Sequence, residues 1–248
     1  MAGPASDYDF GLYYEPGAPL DVDALRKAVA PLVEDSSPMV TPLGEWGPWI
    51  NGGGWLTIGG AKVDLLYRDL GRVREVIAEA RQGRISMNYQ PGHPHGFCSA
   101  IWMGEVATCR PLHDPFGRIA ELKNETWPYP EALRDALIAR FGWEVGFAIS
   151  NAEKAAQRAE QTHVVGCAYR ALCCMAQVLF ALNSRYLINE KGAAAEAASY
   201  PITLEELAKA QIEIWSRIGN ADAEGALLRL RNLANGMAVL VERVGSKG

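Results

Sequence analysis

Three acidic residues in two β-prone segments have the spacing that a metal site would need. Asp7 and Asp9 come directly before the apolar run at residues 10–14, and Asp64 lies inside a second apolar run at residues 62–67. Residues i and i+2 of a strand point to the same side, so the carboxylates of Asp7 and Asp9 project together. Adjacent carboxylates repel one another unless a cation neutralises them, and Asp64 on a neighbouring strand would complete an oxygen-ligand site for Mg²⁺. Such a site suits phosphoryl or nucleotidyl transfer.

The surrounding sequence supplies elements that would position these acids. Residues 10–14 predict a strand, and apolar residues at helical spacing predict a helix over residues 21–34. Asn-Gly and Gly-Gly pairs at residues 51–54 and 59–60 predict hairpin turns. The chain between and after these turns would then form a small antiparallel ladder, with Asp64 in its last strand.

Helical periodicity dominates the second half of the chain, whereas residues 84–118 have an irregular pattern. The prediction is therefore an α+β protein, with a small mixed or antiparallel sheet in a domain over residues 1–120 and a helical bundle over residues 121–248. Thr203 and Glu206 have the spacing of a capping box. The predicted helices span residues 131–141, 143–160, 163–187, 203–218 and 221–243.

Composition argues against two classes of partner. The chain has 24 Lys and Arg against 29 Asp and Glu, a net charge of −5, so it lacks the basic character of most nucleic-acid-binding proteins. The longest apolar run, residues 167–182, is interrupted by Arg170 and Gln177 and predicts a buried helix, not a membrane span. Five cysteines without a Cys-x-x-Cys pair predict reduced thiols, and the absence of a signal-like N-terminal segment predicts a cytoplasmic protein.

The acid segments resemble those of a known superfamily. Ser-Asp-x-Asp followed by an aromatic residue, then a predicted helix, a hairpin and Val-Asp-Leu-Leu, is similar to the DNA-polymerase-β-type nucleotidyltransferases. The similarity is greatest to the aminoglycoside and lincosamide nucleotidyltransferases, which pair such a domain with a C-terminal helical bundle. Residues 110–117 and 183–192 also look like that group.

This resemblance implies an activity and a set of site residues. It assigns binding of ATP or another nucleoside triphosphate to Ser6, Asp7 and Asp9. It assigns Mg²⁺ binding to Asp7, Asp9 and Asp64, and Asp64 is either a metal ligand or the base for the acceptor. The implied reaction moves a nucleoside monophosphate to a small hydroxyl-bearing acceptor, such as an antibiotic, in a protein that could form a homodimer.

One departure from the superfamily keeps an alternative open. Its members carry a Gly-Ser pair roughly ten residues before the first acid, and that pair opens a loop whose backbone N–H groups bind the triphosphate. Only residues 1–6 precede Asp7 here, and they contain no such pair. The alternative is a catalytically degenerate, nucleotidyltransferase-like protein that acts as a binding or antitoxin-type partner of another chain.

Five further residues have types that could do chemistry. Glu105 is a candidate general base for the acceptor hydroxyl, or else a solvated strand acid. His93 and His95 lie in a Pro- and Gly-rich loop that either lines a substrate cleft or is simply exposed. Arg158 and His163 have the Arg-x₄-His spacing of a helical RNase family, although a histidine at a helix end explains that spacing equally well.

Three tryptophans flank the predicted hairpin. Trp46, Trp49 and Trp55 could stack on a base or a sugar, or they could pack inside the protein.

Overall fold

The computed structural model describes residues 7–34 and 39–246 of the chain, and it confirms the α+β class. Helices account for 53% of it, beside a four-stranded mixed sheet and a separate two-stranded sheet. The chain divides into two compact units, which we call the N-terminal unit (Met1–Glu75 with Gln90–Gly92) and the C-terminal unit (Val76–Tyr89 with His93–Gly248). A functional boundary near residue 120 stays a prediction.

The described residues form six strands and nine helices. The strands are β1 (Tyr8–Tyr14), β2 (Met39–Val40), β3 (Gly53–Ile58), β4 (Ala61–Asp69), β5 (Met87–Asn88) and β6 (Phe97–Cys98). The helices are α1 (Val22–Val29), α2 (Leu70–Arg81), α3 (Ala100–Thr108), α4 (Arg118–Glu125), α5 (Glu131–Ala156), α6 (Gln161–Leu182), α7 (Ala193–Ala197), α8 (Leu207–Gly219) and α9 (Ala223–Gly245).

The four-stranded sheet of the N-terminal unit has the order β1-β4-β3-β2. β1 runs parallel to β4, whereas β3 is antiparallel to both β4 and β2. The predicted turn at Gly59 and Gly60 is confirmed: both have positive φ (58° and 76°) and join β3 to β4. One face of the sheet packs with α1 in an apolar core whose buried members are Val29, Val40, Leu56, Val63 and Leu65.

The prediction of a hairpin turn at residues 51–54 is wrong, because Gly53 and Gly54 lie inside β3. A Cβ added at Gly53 would overlap the backbone carbonyl oxygen of Leu65 and lie 2.7 Å from the ring of Trp46. These glycines therefore permit a close approach of two backbones, which is the other common reason for glycine in a strand.

Helix α1 shows how local chemistry sets the ends of an element. The side chain of Asp21 accepts a hydrogen bond from the backbone N–H of Ala24 at 2.9 Å, which is an N-cap. The helix ends at Val29, shortly before Pro31, and not at residue 34 as predicted. Ala30 still has helical φ and ψ (−49° and −43°), but Pro31 has no backbone N–H to donate to the next helical hydrogen bond, so the helix does not continue.

The C-terminal unit contains helices in all the predicted helical segments, but their bounds and number differ from the prediction, and α6 ends at Leu182 and not at residue 187. Residues 131–156 form one helix, because Gly142 does not interrupt α5. Helix α3 lies in the segment that was predicted to be irregular. Helix α8 begins at Leu207, so the capping box at Thr203 does not form, and the Thr203 hydroxyl is buried without a hydrogen-bond partner among the described residues.

One helix among the described residues, α6, is long and apolar enough to cross a membrane. However, 67% of its most apolar window is buried inside the protein. The core helix of a folded bundle shows the same length, composition and burial, so these features are weak evidence for a membrane span.

Gly146 offers a stabilising substitution in α5. It is exposed, has ordinary helical φ, and an added Cβ would meet nothing within 4 Å. Gly146→Ala is expected to raise the free energy of unfolding by about 0.5–1 kcal/mol, because alanine loses less backbone entropy in a helix. Urea denaturation followed by far-UV circular dichroism measures this. The control is Gly83→Ala, which should destabilise the protein because Gly83 has a φ of 73° and its Cβ would lie 2.7 Å from the Ala132 carbonyl oxygen. A Gly146→Ala protein no more stable than the parent would contradict the expectation.

Candidate functional site

The strand register brings two of the predicted acids to one face of the sheet. In the parallel pair of β1 and β4, Asp9 lies directly opposite Asp64. Residues that pair directly across two strands face the same side, so both side chains leave the sheet on the face opposite the apolar core. Asp7, which is exposed and comes two residues before Asp9, shares that side by the period of the strand.

An aromatic side chain continues this row of residues. Trp55 in β3 pairs with Asp64, and Met39 in β2 pairs with Trp55. Trp55 is 54% exposed, and Trp46 stacks on it with 4.8 Å between the ring centroids. Trp49 is buried, and the guanidinium of Arg72 lies over its ring. Trp55 is therefore the tryptophan that offers exposed aromatic surface beside the acid pair.

Two basic residues of β4 lie on the same face as Asp64. Lys62 is exposed and donates a hydrogen bond to the Thr57 hydroxyl at 3.1 Å. Arg68 is buried at 1% exposure, and its Nη1 donates to the carbonyl oxygens of Ile50 (3.2 Å) and Tyr67 (3.0 Å). The acid pair thus has a positive charge on each side of it along the strand.

The three carboxylates do not form a compact cluster. Within residues 7–34 and 39–246, no three His, Cys, Asp or Glu side chains are close enough together to hold a metal ion. Asp9 and Asp64 are adjacent by register, but Asp7 does not complete a group of three with them. Ser6 lies outside the described residues. The roles assigned to Ser6, Asp7, Asp9 and Asp64 stay predictions.

Glu105 lies in the C-terminal unit on helix α3, so the expectation that it is a strand acid is wrong. It is partly exposed. Its role as a general base stays a prediction.

His95 is packed inward, whereas Tyr89, Pro91, Gly92 and Pro94 of the same loop are exposed, so the expectation of a simply exposed loop is wrong for His95. His95 is 4% exposed. The Nη1 of Arg170 donates to the Nδ1 of His95 at 3.2 Å and also to the His95 carbonyl oxygen. The Nε of Arg170 donates to Glu144 at 2.9 Å, and Arg140 makes a further ion pair with Glu144. Arg170 on α6 therefore joins this loop to α5.

The contact with Arg170 fixes the protonation of His95. Burial and the adjacent Arg170 guanidinium lower the pKa of His95 to about 4, so the imidazole is neutral near pH 7. A guanidinium can only donate hydrogen bonds, so the Nδ1 of His95 must accept, and the proton of the neutral ring is on Nε2.

His93 lies beside a second buried acid. Its Nδ1 is 3.4 Å from a carboxylate oxygen of Glu190, and its ring meets Phe97 edge-on at 5.1 Å. Burial alone would raise the pKa of Glu190, but the contact with His93 and backbone hydrogen bonds outweigh it and hold that pKa below its usual range. Glu190 is therefore a carboxylate at neutral pH.

A groove of about 1120 Å³ lies between α5 and α6. Trp143 and Phe147 are both exposed in its wall and stack with their centroids 5.0 Å apart. His163 lines the groove, whereas Arg158 is not among its lining residues. The interpretation of these two residues as an RNase site stays a prediction.

Arg170, Glu144 and Glu190 were not identified from the sequence as site residues. The only available signal was a charge inside an apolar helix, because Arg170 interrupts the longest apolar run. Such a charge is rarely buried without a partner, but its partners Glu144 and His95 are 26 and 75 residues away along the chain.

Comparison with known proteins gives one partial match. A family described as a domain of unknown function (DUF4037) matches residues 102–191. No curated protein matches the chain. The matched segment contains Glu144, Arg170 and Glu190, whereas His95 and the acids of the sheet lie outside it.

Proposed function

We propose that the chain is a Mg²⁺-dependent nucleotidyltransferase that uses the Asp9–Asp64 face of the sheet. The observation that carries the proposal is the parallel register of β1 and β4, which sets these two carboxylates side by side on one face. The resemblance of the same residues to the DNA-polymerase-β-type superfamily supports it independently of the geometry.

The donor set fits Mg²⁺ even without a group of three side chains. Mg²⁺ is usually held in proteins by one or two carboxylates together with waters and the phosphates of a substrate. Asp9 and Asp64 supply two carboxylates. Binding of the nucleotide would bring the Asp7 carboxylate to the same ion. The ion would neutralise charge on the phosphates and on the leaving group.

The neighbouring residues fit a nucleotide. The exposed face of Trp55 offers a surface on which a base can stack, and Lys62 can contact a phosphate oxygen. In the proposed reaction an acceptor hydroxyl attacks the α-phosphorus in line, a new P–O bond forms, and the bond to the β-phosphate breaks to release pyrophosphate. Asp64 has one of two roles: it holds the ion, in which case the hydroxyl proton passes to solvent water, or it takes the hydroxyl proton itself.

The test is pyrophosphate release from ATP in the presence of Mg²⁺ and a panel of small hydroxyl-bearing acceptors, antibiotics among them. Asp64→Asn keeps the shape of the side chain but removes its charge, and it is expected to lower turnover about a hundredfold. The matched control is Asp23→Asn, an exposed acid on α1 that is outside this face. Full activity of Asp64→Asn would overturn the assignment.

A second candidate function rests on the absence of a three-acid group in the described part of the chain. In that case the protein is a catalytically degenerate member that binds a partner chain. Calorimetry with ATP and Mg²⁺ separates the two: binding that requires Mg²⁺ supports the enzyme, and no binding by a folded protein supports the degenerate member.

A further inference from the structure

Two stacked indoles stand on the acid face of the sheet, which is the face that carries Asp9 and Asp64. Trp55 pairs with Asp64 across β3 and β4 and therefore faces the same side. Trp46 stacks on Trp55 with 4.8 Å between the ring centroids and 23° between the ring planes. This contact places Trp46 on the acid face as well. We call the two side chains the indole pair.

The indole pair is held in place by contacts inside the N-terminal unit. A Cβ at Gly53 would lie 2.7 Å from the Trp46 ring, so the absence of a side chain there makes room for the ring. The carbonyl oxygen of Trp46 accepts a hydrogen bond at 2.9 Å from the side chain of Gln90, which is buried. Trp55 nevertheless remains 54% exposed. A held aromatic surface that is open to solvent suits a planar ligand, since little side-chain entropy is lost on binding.

The groups on the two sides of the acid pair along β4 are different. Lys62 comes two residues before Asp64, about 7 Å away at the rise of a strand, and it is exposed. In the other direction, the residue two positions after Asp64 pairs with Gly53, beside the Trp46 ring. Arg68 lies further on, but it is buried and donates to backbone carbonyls. The exposed groups therefore follow the order lysine, acid pair, indole pair.

A nucleoside triphosphate carries complementary groups in the same order. Its β- and γ-phosphates are anionic, its α-phosphate is the group on which the acids and the ion would act, and its ribose joins the α-phosphate to a planar base. Because the ribose stands between the base and the α-phosphate, the base cannot lie over the acids themselves. The β3 strand that carries Trp55 is about 4.8 Å from β4, which is within reach of the base across the ribose.

We propose that the indole pair is the base subsite of the donor nucleotide and that Lys62 binds the β- and γ-phosphates. Trp55 stacks on the base, and Trp46 is a positioning residue that holds the Trp55 ring. The inference rests on the proposed function, in which the acid pair and Mg²⁺ act on the α-phosphate. It adds the orientation of the nucleotide: the base lies over β3, and the terminal phosphates point toward the turn at residues 59–60, which precedes Lys62.

Isothermal titration calorimetry on the full chain tests the base subsite with two probes. Mg²⁺·ATP has a base and a ribose, whereas Mg²⁺·tripolyphosphate has neither. Trp55→Ala should weaken ATP binding about tenfold, the range of base stacking on an aromatic side chain, and should leave tripolyphosphate binding unchanged. Trp55→Phe should retain most of the ATP affinity. The matched control is Trp143→Ala, an exposed tryptophan of α5, which should change neither affinity.

The same titrations test the orientation through Lys62. Lys62→Met removes the charge but keeps a similar chain length, and it should weaken the binding of both probes alike, by about tenfold, because a charge-assisted hydrogen bond is lost. The matched control is Lys27→Met. Lys27 is exposed on α1, which packs against the opposite face of the sheet, and its replacement should weaken neither probe.

Two kinds of failure are distinguishable. Trp55→Ala without a selective loss of ATP binding would overturn the base subsite, and unchanged binding in Lys62→Met would overturn the orientation. In both cases the proposed function stands if Asp64→Asn abolishes the binding of Mg²⁺·tripolyphosphate. A folded parent protein that binds neither probe would overturn the proposed function together with this inference.

Discussion

Replacing Gly53 by alanine is expected to unfold the N-terminal unit. The new Cβ would overlap the backbone carbonyl oxygen of Leu65 in the adjacent strand, and it would also press on the ring of Trp46. A backbone atom in a paired strand cannot rotate away as the end of a flexible side chain can. The loss of stability should therefore exceed about 4 kcal/mol, which is the range reached by severe steric conflict.

The stacked pair of Trp46 and Trp55 provides the measurement, because it belongs to the same unit. Its near-UV circular dichroism should disappear in Gly53→Ala, and amide hydrogens of β3 and β4 should exchange rapidly. The matched control is Gly17→Ala, since an added Cβ at Gly17 meets nothing within 4 Å. A Gly53→Ala protein with the parent's near-UV spectrum and exchange rates would show that β3 and β4 can separate to admit a side chain.

The same glycines explain why the sheet was predicted only in part. β1, β4 and the turn at residues 59–60 were predicted because apolar runs bounded by Gly and Pro are a strong local signal. Gly53 and Gly54 produce a similar local signal for a different reason, the close approach of a neighbouring backbone, which is that of Leu65 at Gly53 and that of Met39 at Gly54. That reason becomes visible only when the partner strand is known.

The adjacency of Asp9 and Asp64 was predicted from the sequence, whereas the burial of His95 was not. The physical cause is the distance along the chain over which the stabilising interactions act. Asp9 and Asp64 each lie in a segment whose strand character is local, so a single register brings them together. His95 is buried by contacts with Arg170 that no local pattern encodes. A Pro- and Gly-rich segment resembles an exposed loop whenever the residues that cover it are distant in the chain.

Acidification is expected to destabilise the protein through His95. The unperturbed pKa of histidine is about 6.5, whereas burial and Arg170 lower that of His95 to about 4. Between these two values the unfolded chain binds a proton that the folded chain does not, so the stability contributed by neutral His95 is complete above about pH 6.5 and falls toward pH 4. At 1.36 kcal/mol for each pKa unit, the loss over this window is about 3 kcal/mol.

Urea denaturation at intervals between pH 4 and pH 7.5 measures this loss. His95→Gln has no proton to gain in the unfolded state, so its free energy of unfolding should depend on pH less steeply than the parent's by about 1 kcal/mol per unit. His163→Gln is the matched control, because His163 is exposed, and it should retain the parent's slope.

The groups that act on His95 are Arg170, Glu190 and Glu144, and the two carboxylates favour its charged form. Identical slopes in the parent and His95→Gln would mean that His95 takes up its proton in the folded state and that the contact with Arg170 opens at mildly acidic pH.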